Sequence, residues 1–143
     1  MKKIFFLFSL FILVGCNTNA KKEQKVEITP KGNFYKQSEM AALMLLMYET
    51  NAQNKQLILE GKQPKEFPEE FLKIHSAKLT DPTNRNADFK TFSDFYLENM
   101  KQVFEPSTES LINKHNTTIN SCIACHQTTC VGPIPKIKKL LIQ

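Results

Sequence analysis

Apolar side chains return at helical spacing in four blocks along this chain, separated by short polar connections rich in proline. The first block, Tyr35 to Glu60, carries Met40, Leu43, Met44, Met47 and Leu57 among good helix formers, and Gly61 ends it. The second runs from Pro68 to about Leu79 with Phe71, Leu72, Ile74 and Leu79 apolar, and Pro68 suits a first helical turn. The third, Asp88 to Glu105, repeats Phe92, Phe95, Tyr96, Met100, Val103 and Phe104 before Pro106 breaks it. Ser107 caps the fourth, which carries Leu111, Ile112 and Ile119 and is stopped by Gly132, Pro133 and Pro135. The tail from Ile134 to Gln143 adds about one further turn. No alternation of period two competes anywhere. Four amphipathic helices with short connections predict an all-α domain, an antiparallel four-helix bundle.

Two segments precede the bundle. Lys2 and Lys3 followed by the apolar run Ile4 to Val14 form a signal segment, too short to anchor as a spanning helix. It closes on Leu13-Val14-Gly15-Cys16, which resembles a bacterial lipobox and predicts cleavage after residue 15 with lipidation of Cys16. Several acyl chains on one cysteine hold a protein firmly at a membrane. Residues 17–33 are polar and aperiodic, a flexible tether. The chain thus divides into a lipoprotein signal peptide (1–15), a tether (16–33) and one helical domain with a short tail (34–143).

Charge adds little to this picture. The formal net charge of +5 falls to +3 once residues 1–15 and their two lysines are removed, leaving 17 basic against 14 acidic residues. No basic block is interleaved with aromatic residues as a nucleic-acid groove requires, and there is no tryptophan. Nucleic acid is therefore not an expected partner.

The chemistry concentrates at Cys122-Ile123-Ala124-Cys125-His126, the C-x-x-C-H spacing of a c-type haem attachment. Two thiols at that spacing add to the two vinyl groups of one haem as thioethers. The following imidazole binds the iron as proximal ligand. A zinc site needs four clustered ligands, and no second C-x-x-C is present. A thioredoxin-like dithiol calls for a βαβ context, which the pattern lacks. The cofactor expected is one covalent haem c, near the end of the fourth helix, with Cys122 and Cys125 holding the ring and His126 on the iron.

A four-helix pattern with C-x-x-C-H late in its last helix resembles the cytochrome c prime superfamily over roughly residues 33–127. Ser121-Cys-Ile-Ala-Cys-His126 carries the likeness, together with Tyr35-Lys36-Gln37-Ser38-Glu39-Met40, which is similar to the start of that family's first helix. The resemblance places Met40 over the distal haem face. Members with Leu or Phe there keep five-coordinate iron and bind small gases; members with Met there are low-spin electron carriers. Bundles of this type often form homodimers. The chain departs from the family at Cys130, where a basic residue is common, and in the proline-containing tail.

Read as residues alone, Met40, Met44 and Met47 share one helical stripe at i, i+4 and i+7, a spacing that most often marks core filler. A haem nearby gives their soft thioethers a second use, because Met ligation raises the potential of c-type haem. The resemblance selects Met40, with Met44 next. His115 precedes His126 by eleven residues on the same helix, roughly 16 Å along the axis, so it cannot reach the opposite side of the same iron. Ile119, by the same count, is expected against the proximal face of the ring. His75 reads as a boundary histidine. Cys130 reads as a small thiol buried at the haem edge, the alternative being an intermolecular disulfide or a redox-sensitive thiol. Lys114, Lys136, Lys138 and Lys139 form a candidate docking surface for an acidic redox partner.

These observations predict a monohaem cytochrome that carries single electrons and does no chemistry on a substrate. It would sit in the bacterial cell envelope, lipid-anchored through Cys16 and facing the periplasm, with the outer membrane the expected bilayer, and with redox proteins as partners. The alternative is a five-coordinate protein that binds NO or CO, in which Met40 only packs beside the haem.

Overall fold

The computed structural model describes residues 36–143. The signal segment, Cys16, the tether and Tyr35 lie outside the described residues.

The described chain is all-α, with no strand among the described residues. It has three long helices: α1 (Glu39–Leu59), α2 (Ala87–Phe104) and α3 (Leu111–Thr129). A single turn, α4 (Ile134–Ile137), runs into a 3-10 turn at Lys138–Leu140. None of the described helices is long and apolar enough to cross a membrane.

Local chemistry sets the helix ends. Ser38 Oγ accepts from the Ala41 amide at 3.1 Å, so α1 begins at Glu39 and not at Tyr35. At its other end Lys62 N–H donates to Leu57 O at 2.8 Å and Gly61 N–H to Ile58 O at 3.0 Å, a complete Schellman closure. Gly61 takes the left-handed conformation this needs, at φ 72°. Asn86 caps α2 through Phe89 N at 2.9 Å. The cap of α3 is Ser110, which accepts from Asn113 N at 3.3 Å; Ser107 instead accepts from Glu109 N at 3.2 Å within the connection. α3 also ends at Thr129, three residues before Gly132.

The block at 68–79 differs most from its expectation: it is a 3-10 stretch over Glu69–His75. Tertiary partners replace helical continuation here. The Arg85 guanidinium takes up the carbonyls of Ile74, His75 and Ala77. Met40 N–H donates to Lys78 O, and Lys78 N–H to the Glu39 carboxylate, each at 3.0 Å. The chain is thereby turned against the start of α1 while Phe71 and Ile74 still reach the core. Buried backbone groups must find partners, and here those partners lie outside the segment.

One core cluster joins Met40, Leu43 and Met47 of α1 to Phe71, Ile74 and Ala77, and to Phe89, Tyr96, Leu97 and Met100 of α2. A second joins Ile119 of α3 to Ile137 and Leu140 of the tail, with Tyr48 and Ala52 packed against it. The tail is therefore part of the core rather than an appended turn. Side chains of α1 and α3 pin its backbone. Lys55 Nζ donates to Lys139 O at 2.9 Å and Leu141 O at 2.7 Å. His115 Nε2–H donates to Leu140 O at 2.9 Å. Asn116 exchanges two bonds with Ile142, at 2.8 and 2.9 Å.

Lys114 is a correction to the docking surface. It is 4% exposed, and its ammonium donates to Glu105 O at 2.6 Å near the end of α2. It supports the α2–α3 connection and presents nothing to a partner.

His115 gives this arrangement a pH dependence. The ring is fully buried, and burial pushes its pKa below the ordinary histidine value. The unfolded chain therefore binds the proton more readily. The stability tied to neutral His115 is complete above about pH 6.5 and is lost as pH falls through the depressed folded value. Urea midpoints measured from pH 8 to pH 4.5 should fall across the acid side of that range. His115→Gln, which cannot titrate, should flatten the fall; an unchanged slope would contradict the assignment. Asp81 and Asp94, whose pKa values are also lowered, act in the more acid carboxylate range.

Candidate functional site

The end of α3 carries the chemistry. Cys122, Cys125 and His126 fall at i, i+3 and i+4, hence on one face of the helix. That face forms one wall of a cleft of about 330 Å³. Met44, Met47, Tyr48 and Asn51 of α1 contribute to its walls, as do Phe92 and Tyr96 of α2. The tail adds Pro133, Lys136, Ile137 and Leu140. The cleft is mostly apolar and falls in the size range of small-molecule and cofactor sites, ~300–1,000 Å³.

His126 is held by its own helix terminus. Its Nδ1 lies 2.8 Å from the Cys130 carbonyl oxygen, while Cys130 N–H donates back to His126 O at 3.1 Å. A carbonyl only accepts, so Nδ1 carries a proton, and in the neutral ring Nε2 is the nitrogen with the free lone pair. A backbone acceptor on the second ring nitrogen is the usual means of fixing the tautomer and orientation of a metal-binding histidine.

The two cysteines are protonated thiols. Burial, with the neighbouring Cys125 adding to it, pushes the Cys122 pKa up to about 12. Burial also raises that of Cys125. The Cys122 thiol lies 3.4 Å from Thr118 O. A redox dithiol depends on the opposite shift, a thiolate stabilised near neutral pH. This microenvironment suits cysteines held in reduced form for another fate.

The structure separates the methionines of the stripe. Met40 is 5% exposed within the first core cluster and does not line the cleft. Met44 and Met47 do, and Met44 is the less buried of the two. Ile119 stands one layer behind the wall, against Ile137 and Leu140, which themselves line the cleft. His115 is enclosed beneath the tail, away from the cleft lining. His75 sits at the surface, its Nε2 3.4 Å from Asp94. Cys130 is exposed rather than buried at an edge; α3 has ended there, and Cys130 is its non-helical C-cap.

Asn51 and Tyr96 are cleft residues that the sequence reading missed. Asn51 Nδ2 donates to Met47 O at 2.8 Å and to the Tyr96 hydroxyl at 3.3 Å. The Asn51 Oδ1 atom is buried without a partner. Burial raises the Tyr96 pKa well above the ordinary tyrosine value, so its hydroxyl keeps its proton. The signal was present at 44, 47 and 51: a polar residue continuing an apolar stripe marks a buried polar group with a task.

The donor set fits a c-type haem. Two thiols and an imidazole whose Nδ1 is committed to a backbone carbonyl share one face of α3, thioethers face the same cleft from α1, and the walls are apolar. Compared with protein-family models, curated proteins and solved structures, the chain finds no match in any of the three. Thiol alkylation of the haem-free protein, mapped by peptide mass, tests the cleft chemistry. Exposed Cys130 should react first and Cys122 last, with the Cys122 rate still climbing with pH throughout the alkaline range in which the fold persists. Equal rates at Cys122 and Cys130 at neutral pH would contradict the buried-thiol geometry.

Proposed function

We propose that this chain is a monohaem c-type cytochrome that carries single electrons in the bacterial cell envelope. It is tethered through lipidated Cys16, faces the periplasm and exchanges electrons with redox proteins. The observation that carries the reading is the oriented His126, with Nδ1 committed to the Cys130 carbonyl and Nε2 left for a metal, on the same face as the two half-buried thiols. On this reading the fold is a cytochrome c prime bundle whose second member is the 3-10 stretch Glu69–His75. Its tail serves as an additional wall.

Bound haem supplies a one-electron iron couple. Cys122 and Cys125 fix the ring covalently against α3, and the Cys130 carbonyl orients His126 towards the iron and raises its basicity. Met44 and Met47 line the space that Met40 does not enter, and Met44, the less buried of the two, is the sulfur donor best supported by the cleft. Phe92, Ile137 and Leu140 keep the surroundings apolar, which limits water and favours a higher potential.

The placement of Met40 also favours a second reading, in which no methionine binds iron. The distal side would then be open to NO or CO, with the protonated Tyr96 hydroxyl in the wall.

Absorption spectra of both redox states, with a pyridine haemochrome assay, separate these readings. Six-coordinate low-spin bands are expected for the wild type and for Met40→Leu. Met44→Leu should convert the spectrum to high spin and admit CO. A high-spin wild type that binds CO rapidly would replace the electron carrier with the gas binder. Loss of the low-spin bands in Met40→Leu alone would return the ligand to Met40. A protein without haem would overturn both.

A further inference from the structure

The cleft has one charged side chain in its lining, Lys136, and no carboxylate. Its position is built rather than incidental. α4 carries it, and the chain just beyond is pinned by Lys55, His115 and Asn116 through carbonyls of residues 139–142. The Lys136 ammonium lies 4.3 Å from the centroid of the Tyr48 ring, itself a cleft residue. Lys136 makes no ion pair among the described residues, whereas Lys62 and Lys90 have carboxylate partners. A cation held by an aromatic ring at the edge of an apolar cleft lacks a counter-anion on the protein. It is placed to receive an anionic end of whatever occupies the cleft.

We infer that Lys136 is the anion-binding subsite of this cleft and pairs with a carboxylate of the haem, one of its two propionates. This rests on the cytochrome reading above. A ring tied to α3 through its vinyl-bearing edge has its carboxylates at another edge, where they need either water or a cation. The tail that forms one wall of the cleft also delivers that cation. The C-terminal ten residues thereby gain a role in the redox site beyond packing: they set the charge beside the haem. A neighbouring ammonium favours the ionised propionate and offsets its negative charge, which favours ferrous over ferric iron.

The test is spectroelectrochemistry on the full-length holoprotein. Lys136→Gln and Lys136→Met neutralise the charge, Lys136→Glu reverses it and Lys136→Arg preserves it. Lys62→Gln is the control for an exposed lysine outside the cleft. Lys136 is exposed, so these changes leave the core intact, and Met keeps an apolar stem against Tyr48. The midpoint potential should fall in the two neutral variants, fall further in Lys136→Glu, and stay at the wild-type value in Lys136→Arg. The propionate step in the curve of potential against pH should move to higher pH in the neutral variants. Variants that keep wild-type potentials and an unmoved step, like Lys62→Gln, would overturn the Lys136 assignment while leaving the cytochrome reading in place. A wild-type protein that carries no haem would instead overturn the cytochrome reading, and this assignment with it.

Discussion

The hydrogen bond from His126 Nδ1 to the Cys130 carbonyl decides what the end of α3 can do. It fixes one tautomer, turns Nε2 away from the helix terminus and exists only because α3 stops where it does. Had the helix continued to Gly132, the Cys130 carbonyl would have pointed along the axis to a later amide. Instead Cys130 is the C-cap, and its amide and its carbonyl both return to His126. Helix termination and the orientation of His126 are thus one event.

A second constraint holds the opposite wall. The C-terminal tail has little helical drive of its own, with Pro133 just before it, Pro135 within it and only a single α-turn. It is ordered by burial of Ile137, Leu140 and Ile142 and by side chains that capture its carbonyls. Those captors come from α1 and α3, the same helices that carry Met44, Cys122, Cys125 and His126. The tail can therefore complete the cleft wall only when α1 and α3 are correctly paired. The buried His115 makes that closure sensitive to acid, because a protonated ring would be an unsolvated charge beneath Leu140.

Much of this was legible from local pattern. α2 falls within a residue of its expected bounds, since Asn86 and Pro106 frame a strong 3.6 period. The C-x-x-C-H spacing is plain in the sequence, and the haem drawn from it is the proposal made above. What escaped depends on distant partners. The 68–79 block has helical periodicity, yet Arg85 and Glu39 capture its backbone and leave only a 3-10 stretch. The Met40–Met44–Met47 stripe was visible, but its division between core and cleft depends on the rotation of α1, which the contacts with Phe71 and Ile74 set. Lys114 looked like any surface lysine because its partner is a backbone carbonyl nine residues away. Asn51 and Tyr96 were hidden for the same reason: their pairing spans forty-five residues.

The central claim is that the α3 face of Cys122, Cys125 and His126 carries covalent haem. Intact and peptide mass spectrometry of the denatured protein, purified from cells competent in c-type haem attachment, measures this directly. The account predicts one haem mass that survives denaturation, located on the peptide containing both Cys122 and Cys125 and absent when both are changed to alanine. Unmodified cysteines at both positions, in cells that attach haem to another c-type cytochrome, would contradict it.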